Sequence, residues 1–142
     1  LRGMRTLHAR MDAQESSAMK VAQFLYNHPK ISKVYYPGLP SDPGYNLCKK
    51  QQSGPGAMIS FEVIGGFNSA KSVIESLKIF QLAPSLGGVE SLISYPPTMT
   101  HGGMSETSRR AAGIKENLLR ISIGLESSED IIRDLSASFT LI

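Results

Sequence analysis

Seven residues near the C-terminal end, Leu118-Leu119-Arg120-Ile121-Ser122-Ile123-Gly124, constrain this chain more than any other stretch. Their period of two is that of a strand. It places Leu119, Ile121 and Ile123 on one face and Arg120 and Ser122 on the other. A strand with one apolar face needs a layer of apolar partners above that face and strand neighbours on both edges. The rest of the sequence supplies both. Ile31–Tyr36 and Ala57–Val63 are rich in β-branched and aromatic residues, and shorter strand patterns fall at Ile79–Leu82 and Glu90–Tyr95. Helical spacing runs through Leu7, Met11, Ala18, Val21, Ala22 and Leu25, through Ala70, Val73, Ile74 and Leu77, and through Ile131, Ile132, Leu135 and Phe139.

Punctuation between these segments is strong. His28-Pro29 closes the first helix because proline disfavours the α conformation in the residue before it. Pro37-Gly38-Leu39-Pro40 and Asp42-Pro43-Gly44 are turn chemistry, followed by a short helical segment over Tyr45–Gln52 and a break at Gly54-Pro55-Gly56. Ser105 opens a short helix through Ala111. Ser127 and Asp130 have capping-box spacing, with Asp in place of Glu or Gln, at the start of the last helix. Connections are short and no repeat or linker divides the chain. The order predicts one layered α/β (α+β) domain over residues 1–142, its sheet mostly antiparallel and covered by helices on one face.

Composition narrows the functional classes. The chain has 142 residues, 41% hydrophobic and 19% charged, which suits a globular domain and not a disordered one. No apolar run approaches the roughly 18 residues of a membrane span, and no signal-like segment opens the chain, so no membrane partner is expected. One cysteine, Cys48, excludes an internal disulfide and a thiolate zinc cluster and fits the cytosol. Residues 1–50 carry eight Lys/Arg against three Asp/Glu. Arg2, Arg5 and Arg10 are spread along a helix with no aromatic side chains between them, so a nucleic-acid partner is not expected either. The chain begins at Leu1 and helical sequence starts at once, so it is expected to be a piece of something longer.

Few residues carry chemistry on their own. A guanidinium in an otherwise apolar strand is costly unless it meets an anion, and its planar fork suits a carboxylate. Arg120 therefore fits a bound carboxylate, an exposed strand face, or an internal ion pair with a residue such as Glu90. Ser85, in the turn Pro84-Ser85-Leu86-Gly87-Gly88, either presents its hydroxyl to a ligand or caps the turn. His101 lacks a second ligand or a triad partner at recognisable spacing, and Cys48 on an amphipathic segment reads as inert. The six methionines read as core filler. No Walker loop, dinucleotide fingerprint or metal-ligand spacing is present, and no metal is expected.

Taken in order, Leu1-Arg2-Gly3-Met4-Arg5-Thr6-Leu7, Tyr36-Pro37-Gly38-Leu39, Ser85-Leu86-Gly87-Gly88-Val89-Glu90-Ser91-Leu92, Met99-Thr100-His101 and Leu119-Arg120-Ile121-Ser122-Ile123-Gly124-Leu125-Glu126 resemble the C-terminal part of a known family. It is the family of pyridoxal-phosphate enzymes of cysteine and methionine metabolism: cystathionine γ-synthase, cystathionine γ- and β-lyase, and methionine γ-lyase. The resemblance spans essentially the whole chain. Gly56–Glu62 and Gly88–Ser94 look most like the γ-synthase group. It implies the small C-terminal domain of a fold-type-I enzyme, with Arg120 binding the α-carboxylate of an amino-acid substrate. Ser85 would be catalytic and substrate-binding, with Leu86 and Thr100 lining the same pocket. It also implies a homo-oligomer, typically a tetramer.

Two departures accompany the resemblance. The family holds its cofactor on a lysine preceded by Ser-x-Thr, and Lys20, Lys30, Lys33, Lys49, Lys50, Lys71, Lys78 and Lys115 all lack that context. The cofactor lysine and most cofactor contacts are thus expected in an upstream domain, and this chain alone is not expected to catalyse. Pro84 stands where many γ-synthases and γ-lyases have an acidic residue, although plant-type γ-synthases share Ala-Pro-Ser there. Since that position helps sort β- from γ-chemistry, γ-replacement, γ-elimination and β-elimination all stay open. A stand-alone assembly module without catalysis is the reading of a different class.

Overall fold

The Arg120 strand lies at the centre of a five-stranded sheet. The computed structural model describes residues 2–142; Leu1 lies outside them. The strands are β1 (Ile31–Tyr35), β2 (Met58–Val63), β3 (Gln81–Leu82), β4 (Leu92–Ser94) and β5 (Leu118–Ser122), in the spatial order β1-β2-β5-β4-β3. All neighbours are antiparallel except β3 with β4. The expected mostly antiparallel sheet is therefore present. Its edges are short or irregular: β3 has two residues, and β1 slips register between Ile31 and Lys33, both ways of limiting edge-to-edge pairing.

Register explains the core. Ile121 pairs with Ile59 on one side and Ile93 on the other, and Leu119 pairs with Phe61. All five are buried, and with Val63 and Ile123 they form one apolar face. Helices α1 (Leu7–Tyr26), α3 (Gly66–Ser76) and α6 (Ser128–Phe139) cover that face. Ala18, Val21, Ala22 and Leu25 of α1, Ala70 and Val73 of α3, and Ile131, Leu135 and Phe139 of α6 are buried against it. Phe139 meets Phe61 edge-on, with ring centroids 6.2 Å apart, and stacks beside Phe24 at 6.3 Å. Such pairings add to the burial of aromatic area.

Helix ends follow their local chemistry, with some departures from expectation. Residues Arg2–Thr6 form a 3-10 segment before α1, so helical structure begins there but the α-helix proper begins at Leu7. Leu7, expected on the apolar stripe, is exposed, and the stripe instead includes buried Gln14. α3 starts after Gly65, whose φ of +101° suits a glycine. Helix α2 (Tyr45–Gln51) buries Cys48. Helix α5 (Glu106–Ala111) is capped by the Ser105 hydroxyl. At α6 the Ser127 hydroxyl accepts the Asp130 N–H, whereas the Asp130 carboxylate turns to Arg133, so only half of the expected box forms. A single turn, α4 (Pro96–Met99), follows β4 with prolines in its first two positions, where a missing N–H costs nothing. The methionines are not deep core filler: Met19 and Met99 pack at its margin and Met4 is exposed.

Replacing Phe61 with alanine removes the ring on which β2, β5 and α6 converge. Phe61→Ala is expected to lower stability by about 3–5 kcal/mol, measured as a lower denaturant midpoint with little change in slope.

Candidate substrate-carboxylate site

On the sheet face opposite the helices, the side chains are mostly polar. Arg120 stands at the middle of β5, with Ser60 of β2 and Ser94 of β4 as its cross-strand neighbours. Two small hydroxyl residues leave space on either side of a half-buried guanidinium. Among the described residues, no carboxylate lies within ion-pair distance of Arg120, and the internal pair with Glu90 does not form. The Ser94 hydroxyl donates to the Arg120 backbone carbonyl at 3.5 Å.

The loop between β3 and β4 folds onto the same strand. Ser85 and Leu86 sit near its start, both exposed. Two residues on, the Gly87 N–H donates to the Ser122 hydroxyl at 2.9 Å. Ser122 is buried and shares the Arg120 face of β5. The far end of the loop is held by Glu126, which accepts the Ser91 N–H and hydroxyl, both at 2.8 Å, while the Gly124 N–H donates to the Ser91 hydroxyl at 2.9 Å. The structure thus ties the segment bearing Ser85 and Leu86 to the strand bearing Arg120. Thr100 is placed just beyond α4, exposed, its hydroxyl 3.4 Å from the Pro96 carbonyl and 2.8 Å from His101 Nδ1. No hydrogen bond joins it to Arg120 or Ser85 among the described residues.

Toward β1 the same face carries a buried charge. Glu62 is 3% exposed; it accepts hydrogen bonds from the Tyr35 hydroxyl and, at 2.9 Å, from the Lys115 ammonium. Burial by itself pushes the Glu62 carboxyl up, but the Tyr35 and Lys115 hydrogen bonds and the charges of Lys115 and Lys33 outweigh it and hold the carboxyl below its ordinary value. Tyr35 is pushed up to about 12, by burial first and then by Glu62.

Two cavities lie elsewhere. One of about 760 Å³ is lined by Phe67, Tyr95, Pro97, Arg109, Lys115 and Asn117 among others, and one of about 350 Å³ adjoins Cys48. Neither is lined by Arg120, Ser85, Leu86 or Thr100. Among the described residues no three His, Cys, Asp or Glu side chains converge to hold a metal ion, and no helix is long and apolar enough to cross a membrane. No lysine lies on β4, β5, α4 or the Ala83–Ser91 loop. Lys115, Lys20 and Lys71 are engaged by Glu62, Glu129 and Glu75, and Lys33 and Lys49 lie over the Tyr35 and Tyr45 rings. The elements that carry the predicted site residues thus provide an arginine and hydroxyls, and no lysine.

The α/β domain thus presents a half-buried arginine between two serines on the open face of its sheet. The family described as Cys/Met metabolism PLP-dependent enzyme matches residues 1–140, and the chain belongs to it; the family depends on pyridoxal phosphate. The chain is 50% identical over 135 residues to L-methionine γ-lyase of Fusobacterium nucleatum subsp. polymorphum, covering 95% of this chain and 34% of that protein. It is 48% identical over 139 residues to cystathionine γ-synthase of Escherichia coli, covering 98% and 36%. The crystal structure of cystathionine γ-synthase from Xanthomonas oryzae pv. oryzae, in complex with aminoacrylate and cysteine, superposes with a TM-score of 0.94 at 47% identity, covering 98% of this chain and 36% of that one. The chain therefore spans about a third of the length of these relatives, and its fold is that of their small C-terminal domain.

Sequence reasoning did not single out Gln14, Glu62 or the loop-holding part of Ser122. Gln14 had a signal, since it lies three residues after Met11 and four before Ala18 on the buried stripe, but its polarity hid it. Glu62 had one as well: it alternates out of the Phe61/Val63 face, as Arg120 does from its own strand.

The Glu62 cluster has a definite pH signature. With its folded-state affinity for a proton below that of the unfolded chain, its stabilisation is present above the ordinary glutamate range and lost as pH falls through the lowered value. Glu62→Gln is expected to be less stable than wild type at pH 7, with the gap closing toward pH 3, measured as thermal midpoints across that range.

Proposed function

We propose that this chain is the substrate-carboxylate-binding C-terminal domain of a cystathionine γ-synthase-type enzyme, which joins an activated homoserine to cysteine by γ-replacement. The observation that carries this reading is Arg120. It is a half-buried guanidinium on the central strand, between Ser60 and Ser94, with no carboxylate partner among the described residues. A charge held that way is stabilised by an incoming anion, and the fork geometry matches an α-carboxylate through two parallel N–H···O bonds.

In this reading Arg120 anchors the carboxylate and so fixes how the substrate's α carbon is presented. Ser85, carried on the loop fastened to the same strand, offers a hydroxyl that accepts and returns a hydrogen bond beside the reacting end. Leu86 and Thr100 bound the pocket. Pyridoxal phosphate, when bound, supplies the electron sink for the carbanion. The lysine that carries it belongs to the remaining two-thirds of the protein that the relatives' lengths imply, and that upstream domain is this chain's first partner. A cytosolic homotetramer is the assembly that goes with the family resemblance.

γ-Elimination is the second reading, favoured by the comparable identity to methionine γ-lyase. The two separate on products: γ-replacement exchanges the γ-substituent for the cysteine thiol and yields cystathionine, whereas γ-elimination expels the γ-substituent and, with one water, releases ammonia and a 2-oxo acid without a thiol acceptor.

In the full-length protein, a visible absorption band abolished by borohydride is expected; a colourless protein, with no cofactor on reconstitution, refutes the enzyme reading and favours the assembly module. Arg120→Ala is expected to lower kcat/KM for the amino-acid substrate by about a hundredfold or more, as loss of a charge-assisted pair does. Ser85→Ala is expected to cost less and to change the ratio of replacement to elimination, read by quantifying cystathionine against 2-oxo acid.

A further inference from the structure

The segment Pro84–Gly88 is held in an unusual manner. Backbone pairing stops on either side of it, at Ala83 N–H to the Ile93 carbonyl and at Leu125 N–H to the Val89 carbonyl. Among the described residues, positions 84–88 form no backbone–backbone hydrogen bond at all. Gly87 has a φ of +75° with open space around its α carbon, and Ser85, Leu86 and Gly87 are exposed, so packing does not confine them. What remains are side-chain tethers. Ser122 Oγ accepts the Gly87 N–H at 2.9 Å. Gln14 Nε2 donates to the Gly88 carbonyl at 2.6 Å, and Arg10 Nη1 reaches the Gly87 carbonyl more weakly at 3.4 Å.

Of these tethers, Ser122 is the one rooted in the site strand. It is two residues from Arg120 on the same face, in the register row of Met58 and Leu92. It is also buried, at 2% exposure, so its acceptor position is set by the sheet. Gln14 is equally buried, on α1. A buried oxygen fixed by the sheet and a buried amide fixed by a helix therefore grip adjacent residues of a loop that lacks backbone pairing of its own.

We infer that Ser122, assisted by Gln14, is a positioning residue for substrate: through Gly87 and Gly88 it sets where the Ser85 loop stands relative to Arg120. The inference rests on the reading of Arg120 and Ser85 as substrate contacts. A substrate held by its carboxylate at Arg120 and met by Ser85 from the loop needs both at one separation. Freeing the loop lowers the fraction of molecules in that arrangement, and apparent affinity falls in proportion to that fraction.

The test uses the full-length, cofactor-loaded protein and three readouts: amide exchange over residues 84–88, KM against kcat, and thermal midpoint. Ser122→Ala is expected to speed exchange at Gly87 and to raise the amino-acid KM about five- to tenfold, while kcat stays within about twofold. Ser122→Thr, which keeps the accepting oxygen, is expected to restore both. Gln14→Leu, on α1 and compatible with a buried helix position, is expected to raise KM in the same direction; it decides the matter if Ser122→Ala does not fold. Faster exchange with an unchanged KM in Ser122→Ala, or in Gln14→Leu where that variant decides, overturns the inference and leaves the tethers purely structural. So does unchanged exchange. Arg120→Lys in the same protein separates the two levels. If it raises KM while the tether variants do not, only the positioning inference fails; if it leaves KM unchanged, the substrate reading itself fails and the positioning inference with it.

Discussion

Antiparallel pairing of β5 with β2 on one side and β4 on the other is the constraint on which the rest of the structure depends. It aligns Ile121 with Ile59 and Ile93, which makes a continuous apolar row. The same register aligns Arg120 with Ser60 and Ser94 on the reverse face. A slip of one residue in β5 would exchange its faces, driving a guanidinium into the layer of Leu25, Phe139 and Leu135 and exposing Leu119, Ile121 and Ile123. The burial that stabilises the domain therefore also dictates the direction of its one exposed-face arginine. Stability and the placement of Arg120 share a single register.

From that sheet the domain hangs two kinds of connection. The helix-facing side is closed by apolar packing, which tolerates small adjustments. The other side is held by discrete polar contacts: Glu62 with Tyr35 and Lys115, Ser122 with Gly87, and Glu126 with Ser91. Such contacts are directional and short-ranged, so they specify a geometry where apolar packing specifies a volume.

Sequence reasoning did well where the signal is periodic and local. The strand at Leu118–Ser122, the helices α1, α3 and α6, and the Ser105 cap all follow from spacing and capping chemistry. It did less well where one local preference competed with another. The helical turn at Pro96–Met99 had no place in the sequence pattern; its two prolines start it because proline's fixed φ is already helical. Ser127 and Asp130 promised a reciprocal cap, but Arg133 one turn on captured the carboxylate. Gln14 lies within the apolar stripe of α1, yet its amide is buried against a carbonyl 74 residues away.

The sequence by itself determined which face of the final strand is apolar, that Arg120 leaves that face, and that motifs across the chain match one family. These follow from side-chain periodicity and residue identity, which are properties of the chain in order. Only the tertiary structure decided that Arg120 lacks an internal carboxylate partner and that Glu90 does not provide one. Only it brought Ser122 to Gly87 and Gln14 to Gly88. Those facts depend on which residues distant in sequence come to lie within about 3 Å of each other, and hydrogen bonds and ion pairs, being short-ranged, leave no periodic trace in the sequence from which to read them.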